Sequence, residues 1–142
     1  MSLHILLELM DLAAFDFLAG NLDRHAYQRF TDLGEESFVI LFDSGRAFSQ
    51  PSHDHMSALA PLRQCCRIRL STLAKFIKLY KGPDSLGMVM RSSLNSDPLS
   101  PILTDVYFEA LDRRVEKVIK TISDCLVNAT SWDAVVFDDL SS

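Results

Sequence analysis

Two aspartates sit where short polar turns meet an apolar run. Asp23 lies in Gly20-Asn21-Leu22-Asp23-Arg24-His25, and Asp43 closes Phe38-Val39-Ile40-Leu41-Phe42-Asp43-Ser44-Gly45. One aspartate in a turn is ordinarily a turn former, because its side chain bonds to nearby backbone. A pair flanking one strand has a further use. A carboxylate held beside a hydroxyl orients it for attack and takes its proton late. A carboxylate at the end of a strand, on a turn softened by Gly45, can approach a hard divalent cation, which prefers oxygen ligands. Orienting a hydroxyl and neutralising phosphate charge are the main demands of phosphoryl transfer, whose loose transition state asks little covalent chemistry of the protein.

The elements that must position these residues are legible from periodicity. Leu6, Met10, Ala14 and Phe17 recur at helical spacing, which predicts a helix over Leu3 to Leu18, stopped by Gly20-Asn21. Asn21 to Phe30 is polar and irregular, and Gly34-Glu35-Glu36 is a turn signal. Ser37 to Phe42 is a continuous apolar and β-branched run, hence a buried strand. Ala47 to Pro61 reads as a loop. Ser71 caps a helix to about Tyr80, ended by Gly82-Pro83, and a further helix spans Ser85 to Leu94 with Leu86, Val89, Met90 and Leu94 on one face. After a linker at Asp97 to Pro101, Leu103, Val106, Tyr107, Ala110, Leu111, Val115, Val118, Ile122 and Cys125 mark a long amphipathic helix. Its opposite face carries Asp112, Arg113, Glu116, Lys117 and Lys120, and the acidic tail after Trp132 reads as loose. The fold class is α+β and mostly α, with one short β unit.

The bulk numbers exclude several roles. The chain has 142 residues, enough for one domain with one core, and a formal net charge of −5. That balance argues against nucleic acid as a partner, because phosphate backbones are bound by clustered Lys and Arg. No apolar stretch is long enough to span a bilayer. Met1 to Met10 is apolar but lacks a basic start and a small-residue cleavage site, so it reads as a buried helix rather than a signal peptide. The three cysteines, Cys65, Cys66 and Cys125, suit reduced thiols in a cytosolic protein, whereas the Asn128-Ala129-Thr130 sequon points to a secreted one. In the secreted case the odd count implies a leftover partner.

A helix, a polar loop bearing Asp, an apolar strand and then Asp-x-Gly is the order of the C-lobe of kinase folds. The Asp23-Arg24-His25 order differs from the His-Arg-Asp of ordinary protein kinases and resembles that of lipid kinases and a few atypical families. Lipid kinases place an Asn on the second metal five residues after the Asp, and Gln28 stands there in this chain. FDFLAGNLDRHAYQRF, FDSGRAF, SHDHMSALAPLRQCCRIRLSTL, PIL and FEALDRRV, spread over about Leu6 to Asp139, together resemble the Fam-twenty family of secretory-pathway kinases. The departures are Ala26 where a second His is usual, Ser44 where Asn is usual, and Ala47-Phe48-Ser49 where Gly-Phe-Gly is common.

That resemblance implies a specific set of roles. Residues 1–140 correspond to the C-lobe of an atypical protein-kinase-like domain. Asp23 is the catalytic base and Asp43 a metal ligand, with Gln28 a weaker candidate ligand. Asn21, Arg24, His25 and Gly45 support the loops. The cofactor is ATP with Mn²⁺ or Mg²⁺. The acceptor is serine of a secreted protein, commonly with an acidic residue two places later, or xylose in a proteoglycan linker. A third reading is a pseudokinase that activates a paralogue by dimerising with it. The implied location is the Golgi lumen or the exterior. The family pairing joins Cys66 to Cys125 and ties Cys65 to an upstream cysteine absent from this chain. Asn128 is the implied glycosylation site. A kinase also needs a Gly-rich phosphate cover, a strand Lys and its Glu partner. The chain has no Lys before Lys75, so it is expected to be a C-lobe fragment that transfers no phosphate alone.

Three further groups have ordinary explanations beside functional ones. Arg24 and His25 are expected to brace the loop rather than touch phosphate. His53, Asp54 and His55 suggest a metal cluster, but their spacing is generic. Arg67, Arg69, Lys75, Lys78 and Lys81 are expected to form a solvated helix face, with a patch for acidic substrates as the minority reading.

Overall fold

In the computed structural model, which describes residues 1–34 and 37–141, the chain forms five α-helices and two small two-stranded sheets among the described residues. Helix α1 (Leu3–Ala19) starts at Ser2, whose hydroxyl accepts the Ile5 N–H at 3.4 Å. It stops at Gly20 because the backbone there turns left-handed, φ 68°, a conformation glycine adopts without a Cβ clash. Strand β1 (Gln28–Arg29) pairs antiparallel with β2 (Val39–Ile40), Gln28 opposite Ile40. The turn expected at Gly34-Glu35-Glu36 involves Glu35 and Glu36, which lie outside the described residues.

The strand is shorter than the apolar run predicts. Only Val39 and Ile40 pair, while Phe38 and Leu41 are about half exposed, 52% and 48%. The partner strand β1 is only two residues long, so pairing covers just Val39 and Ile40 and the apolar residues on either side are left near the surface. The Ala47 to Pro61 loop also ends in structure. A 3-10 turn (Met56–Leu59) leads into α2 (Ala60–Cys65), with Pro61 in its first turn, where proline is tolerated.

Helix α3 (Leu70–Lys81) is preceded by β3 (Ile68–Arg69). Its cap is not Ser71. Instead the Asp139 carboxylate accepts the Ser71 N–H at 2.9 Å and also the Ser71 hydroxyl. The tail is therefore not loose. Val135 and Val136 are buried, and β4 (Val136–Phe137) pairs in parallel with β3, Ile68 opposite Val136. Helix α4 (Leu86–Leu94) packs on α5 (Asp105–Asn128) through Asp112, which accepts the Ser85 hydroxyl at 2.8 Å and the Gly87 N–H at 2.7 Å. Gly87 permits the approach, since a Cβ there would lie 2.6 Å from the Phe108 carbonyl oxygen.

The core joins Met10, Ala14 and Phe17 of α1 to Val115, Val118 and Ile122 of α5, with Leu59, Leu62, Ile68, Leu73 and Phe76 between them. Burying each large aliphatic or aromatic side chain contributes about 1.5–3 kcal/mol. The basic run is not wholly a solvated face. Arg69 is drawn in against α1, bonding Glu8 at 2.7 Å and Asp11 at 2.6 Å, and no metal-binding group of three or more His, Cys, Asp or Glu exists among the described residues.

The candidate active site

The end of α1 sets the first aspartate. After Gly20 the chain places Asn21 in the interior, 1% exposed. Asn21 Oδ1 accepts the Asp23 N–H at 3.1 Å, and its Nδ2 donates to Asp16 Oδ1 at 3.3 Å. This side-chain turn fixes the backbone of Asp23 while leaving its carboxylate in solvent. An exposed ion pair from Arg46 Nε, 3.1 Å from Asp23 Oδ2, covers the carboxylate loosely; such pairs contribute little and open readily.

Arg24 ties the two carboxylate-bearing segments together. Its Nε and Nη2 fork onto the buried Asp16 at 2.9 and 2.8 Å. Its Nη1 donates to the Phe42 carbonyl, and its Nη2 reaches Ser44 Oγ at 3.3 Å. Phe42 and Ser44 flank Asp43, so one guanidinium anchors the Asp43 turn to α1. The Asp16 carboxylate holds the Arg24 pKa above its ordinary value. Asp16 gave no sequence signal of its own, though an acid on the apolar face of α1 could have prompted a search for a buried cationic partner.

Asp43 lies three residues beyond Ile40 on a left-handed backbone, φ 54°. The positive φ falls on the aspartate itself rather than on Gly45, whose position has no such demand. Asp tolerates this region better than most side chains, and Phe48 at φ 58° is the more strained position in the same segment. His25 lies between the two aspartates. Its Nδ1 is 2.7 Å from the Asp23 carbonyl oxygen, and its Nε2 is 4.0 Å from Asp43 Oδ2. Gln28 sits exposed on β1 opposite Ile40 of β2, the strand that runs on toward Asp43.

The donor set suits a hard divalent cation. Asp43 offers an exposed carboxylate, and Gln28 offers a neutral oxygen on the paired strand, opposite Ile40. Magnesium-like ions are commonly held by one or two carboxylates, with phosphate and water oxygens completing the shell. Beside Asp23 lies a polar cleft of about 200 Å³ lined by Leu22, Arg46, Ser49, Gln50 and His55. Burial, His53 and Arg114 lower the His55 pKa below the ordinary imidazole value.

The His53-Asp54-His55 cluster serves a different purpose from metal binding. Asp54 accepts Arg113 at 2.7 Å, Arg114 at 2.9 Å and Lys117 at 2.7 Å. Burial alone would raise the Asp54 pKa, but the bonds from Arg113, Lys117 and Arg114 outweigh it and hold the carboxyl well below the usual range. Arg113 and Lys117, on the face of α5 opposite its apolar stripe, are engaged in this cluster.

The cysteines are divided between a bridge and a thiol. Cys66 is bonded to Cys125, with Cα atoms 5.4 Å apart, while Cys65 is free and exposed. Cys65 borders a larger groove of about 540 Å³ whose walls include Leu9, Ala13 and Leu22. Asn128 is exposed at the end of α5 and donates through Nδ2 to the Asp124 carbonyl at 2.9 Å.

Comparison with known proteins identifies this arrangement. A family model described as Fam20C, Golgi casein kinase, C-terminal, Fam20, matches residues 2–134. The chain belongs to the Fam20 family. Human extracellular serine/threonine protein kinase FAM20C is 45% identical over 141 residues, covering 99% of this chain and 24% of that protein. Human pseudokinase FAM20A is 44% identical over 133 residues, covering 94% and 24%. Human glycosaminoglycan xylosylkinase is 40% identical over 134 residues, covering 94% and 32%. The Golgi casein kinase solved with Mn and ADP bound superposes with a TM-score of 0.87 at 33% identity, covering 98% of this chain and 34% of that one. The Fam20 chain is therefore α+β and kinase-like, and it spans about a quarter to a third of the length of these relatives. No helix among its described residues is long and apolar enough to cross a membrane.

Proposed function

We propose that this chain supplies the acceptor-orienting and metal-holding half of a Fam20 kinase site, acting with ATP and Mn²⁺ or Mg²⁺ in the secretory pathway, on serine of secreted proteins. The observation that carries this reading is the His25 ring set between the Asp23 carbonyl at 2.7 Å and the Asp43 carboxylate at 4.0 Å, which brings both aspartates to one surface.

In this mechanism Asp23 accepts a hydrogen bond from the acceptor hydroxyl once Arg46 swings away. The acceptor oxygen forms a bond to the γ-phosphorus as the bond to the bridging oxygen of ADP breaks, and the hydroxyl proton passes to Asp23. Asp43, with Gln28 as the weaker candidate, would hold the cation, which neutralises phosphate charge when bound. Arg24 and Asn21 keep both carboxylates in place through Asp16. Cys66 and Cys125 secure the scaffold behind them, and Asn128 is the site proposed to carry an N-glycan.

An acidic peptide acceptor is supported by the cleft beside Asp23. Arg46 supplies a mobile cation there, and the lining has no aromatic platform besides His55 on which a sugar ring could stack. Xylose remains the alternative acceptor, supported by the xylosylkinase at 40% identity. A pseudokinase that activates a paralogue is supported by FAM20A at 44% identity. The test is a chimera in which this chain replaces the matching segment of human FAM20C. Manganese-dependent transfer from ATP to an acidic serine peptide, and none to a xylosyl-galactose acceptor, is expected. Transfer only to the sugar would replace the protein acceptor, and no transfer to either from a folded chimera that binds nucleotide would favour the pseudokinase.

A further inference from the structure

Arg114 lies in the middle of α5, far along the chain from both aspartates, and is 2% exposed. Its Nε donates to Asp54 Oδ1 at 2.9 Å, its Nη1 to the Leu18 carbonyl at 2.9 Å, and its Nη2 to the Gln50 and His53 carbonyls at 3.0 and 3.1 Å. Leu18 belongs to the last turn of α1, immediately before the chain turns at Gly20 into the Asp23 loop. Gln50 and His53 belong to the segment that leaves the Asp43 turn. A second bond joins the same two segments, from the Phe48 N–H to the Ala19 carbonyl at 2.7 Å.

The contacts need a planar fork. Three carbonyls from two segments and one carboxylate surround the guanidinium, and its rigid donors satisfy them together. The site is also closely fitted, because a Cβ at Gly20 would lie 3.0 Å from Arg114 Nη1. A lysine could still meet Asp54 but presents one ammonium on a flexible stem, which cannot reach both segments in this geometry. The charge of Asp54 would not be left alone, since Arg113 and Lys117 remain on it.

We propose that Arg114 is a positioning residue of the candidate site: its buried fork fixes the Asp23 loop against the Asp43 turn by holding the Leu18, Gln50 and His53 carbonyls together. The proposal rests on Asp23 and Asp43 forming the site. It assigns α5, which carries neither aspartate, the task of setting their relative position.

The experiment uses the chimera described above, with Arg114→Lys compared with Ile122→Val, a core change in the same helix at a residue that makes none of the bonds to the two segments. Asp43→Ala in parallel tests the underlying site by itself. Displacement of reacting groups by about 1 Å is enough for a large rate loss, so Arg114→Lys is expected to lower kcat about tenfold or more, with the acceptor KM within about twofold. It should also raise the Mn²⁺ concentration for half-maximal rate. Ile122→Val should leave kcat unchanged at a temperature where both variants are folded, even where its Tm loss is as large. Wild-type kcat in Arg114→Lys, with Asp43→Ala inactive, overturns the positioning role while the site stands. A kcat loss in Ile122→Val that tracks Tm as it does in Arg114→Lys overturns it as well. If Arg114→Lys does not fold, amide exchange in the unmodified 142-residue chain decides. The Phe48 amide should be protected within about tenfold of the α5 amides around Arg114, because the clamp makes them open together. A Phe48 amide that exchanges more than about a hundredfold faster than those amides refutes the coupling.

Discussion

Replacing Asp16 by alanine removes the acceptor on which both loops of the site depend. The carboxylate receives two bonds from Arg24 and one from Asn21, and the two charged side chains are only 6% and 15% exposed. Deleting one member of such a buried pair costs about 3–5 kcal/mol, since the remaining charge stays desolvated. Arg24 keeps its bonds to the Phe42 carbonyl and Ser44 Oγ, which places the expected loss near the lower end, about 3 kcal/mol. Asp16→Asn keeps the shape and one acceptor and loses the charge, so it should cost about 1.5–3 kcal/mol. The assay is urea unfolding of the 142-residue chain at pH 7. With a slope of about 1–3 kcal/mol per molar, Asp16→Ala should lower the midpoint by roughly 1–3 M. The Asp23 amide should lose its protection at the same time, because Asn21 loses the partner that orients it. A midpoint within about 0.3 M of the wild type would refute the buried-pair argument.

Further outcomes follow from other contacts. Asp54 has a folded pKa held below its unfolded value, so its contribution is fully present above about pH 4 and is lost as pH falls through the folded pKa. Asp54→Asn should destabilise by about 3 kcal/mol at pH 7, and a urea series should show the gap from wild type closing progressively as pH falls below about 4. Opening the Cys66–Cys125 bridge, which spans 59 positions, should cost about 4 kcal/mol, read as a lower Tm for the Cys66→Ser/Cys125→Ser pair. Expression through a secretory pathway should add one glycan that a glycan-removing amidase releases and Asn128→Gln prevents. Phe17→Ala, at a core position 1% exposed, should cost about 3–5 kcal/mol in the same unfolding assay.

The parts legible from sequence are those whose signal is local. Helix α5 repeats its apolar positions over 24 residues, and Gly20 announces the end of α1. The order of Asp23, apolar strand and Asp43 also reads directly, because each lies at a turn. Long-range pairing did not. The Val135-Val136 pair is too short to predict a strand, and it becomes one only by pairing with Ile68 and Arg69, far back along the chain. Asp139 reads as tail acidity because its partner at the start of α3, Ser71, lies far back along the chain. Helix α2 is only 6 residues long and hides in a Ser, His and Pro-rich stretch. Asp54 between two histidines resembled a metal ligand because sequence does not reveal that three cations from α5 converge on it. Asp16 and Arg114 carry no local signal for the same reason: each acts through what it holds, and its partners are distant in sequence.

The central claim concerns Asp23 and Asp43, and one measurement addresses both. In the FAM20C chimera carrying this chain, kcat for transfer from ATP to an acidic serine peptide is measured against Mn²⁺ for the wild type, Asp23→Ala and Asp43→Ala. Asp43→Ala should abolish transfer and Mn²⁺ dependence, and Asp23→Ala should lower kcat by about 10²–10⁴-fold with ATP still bound. Undiminished turnover in either variant would contradict it.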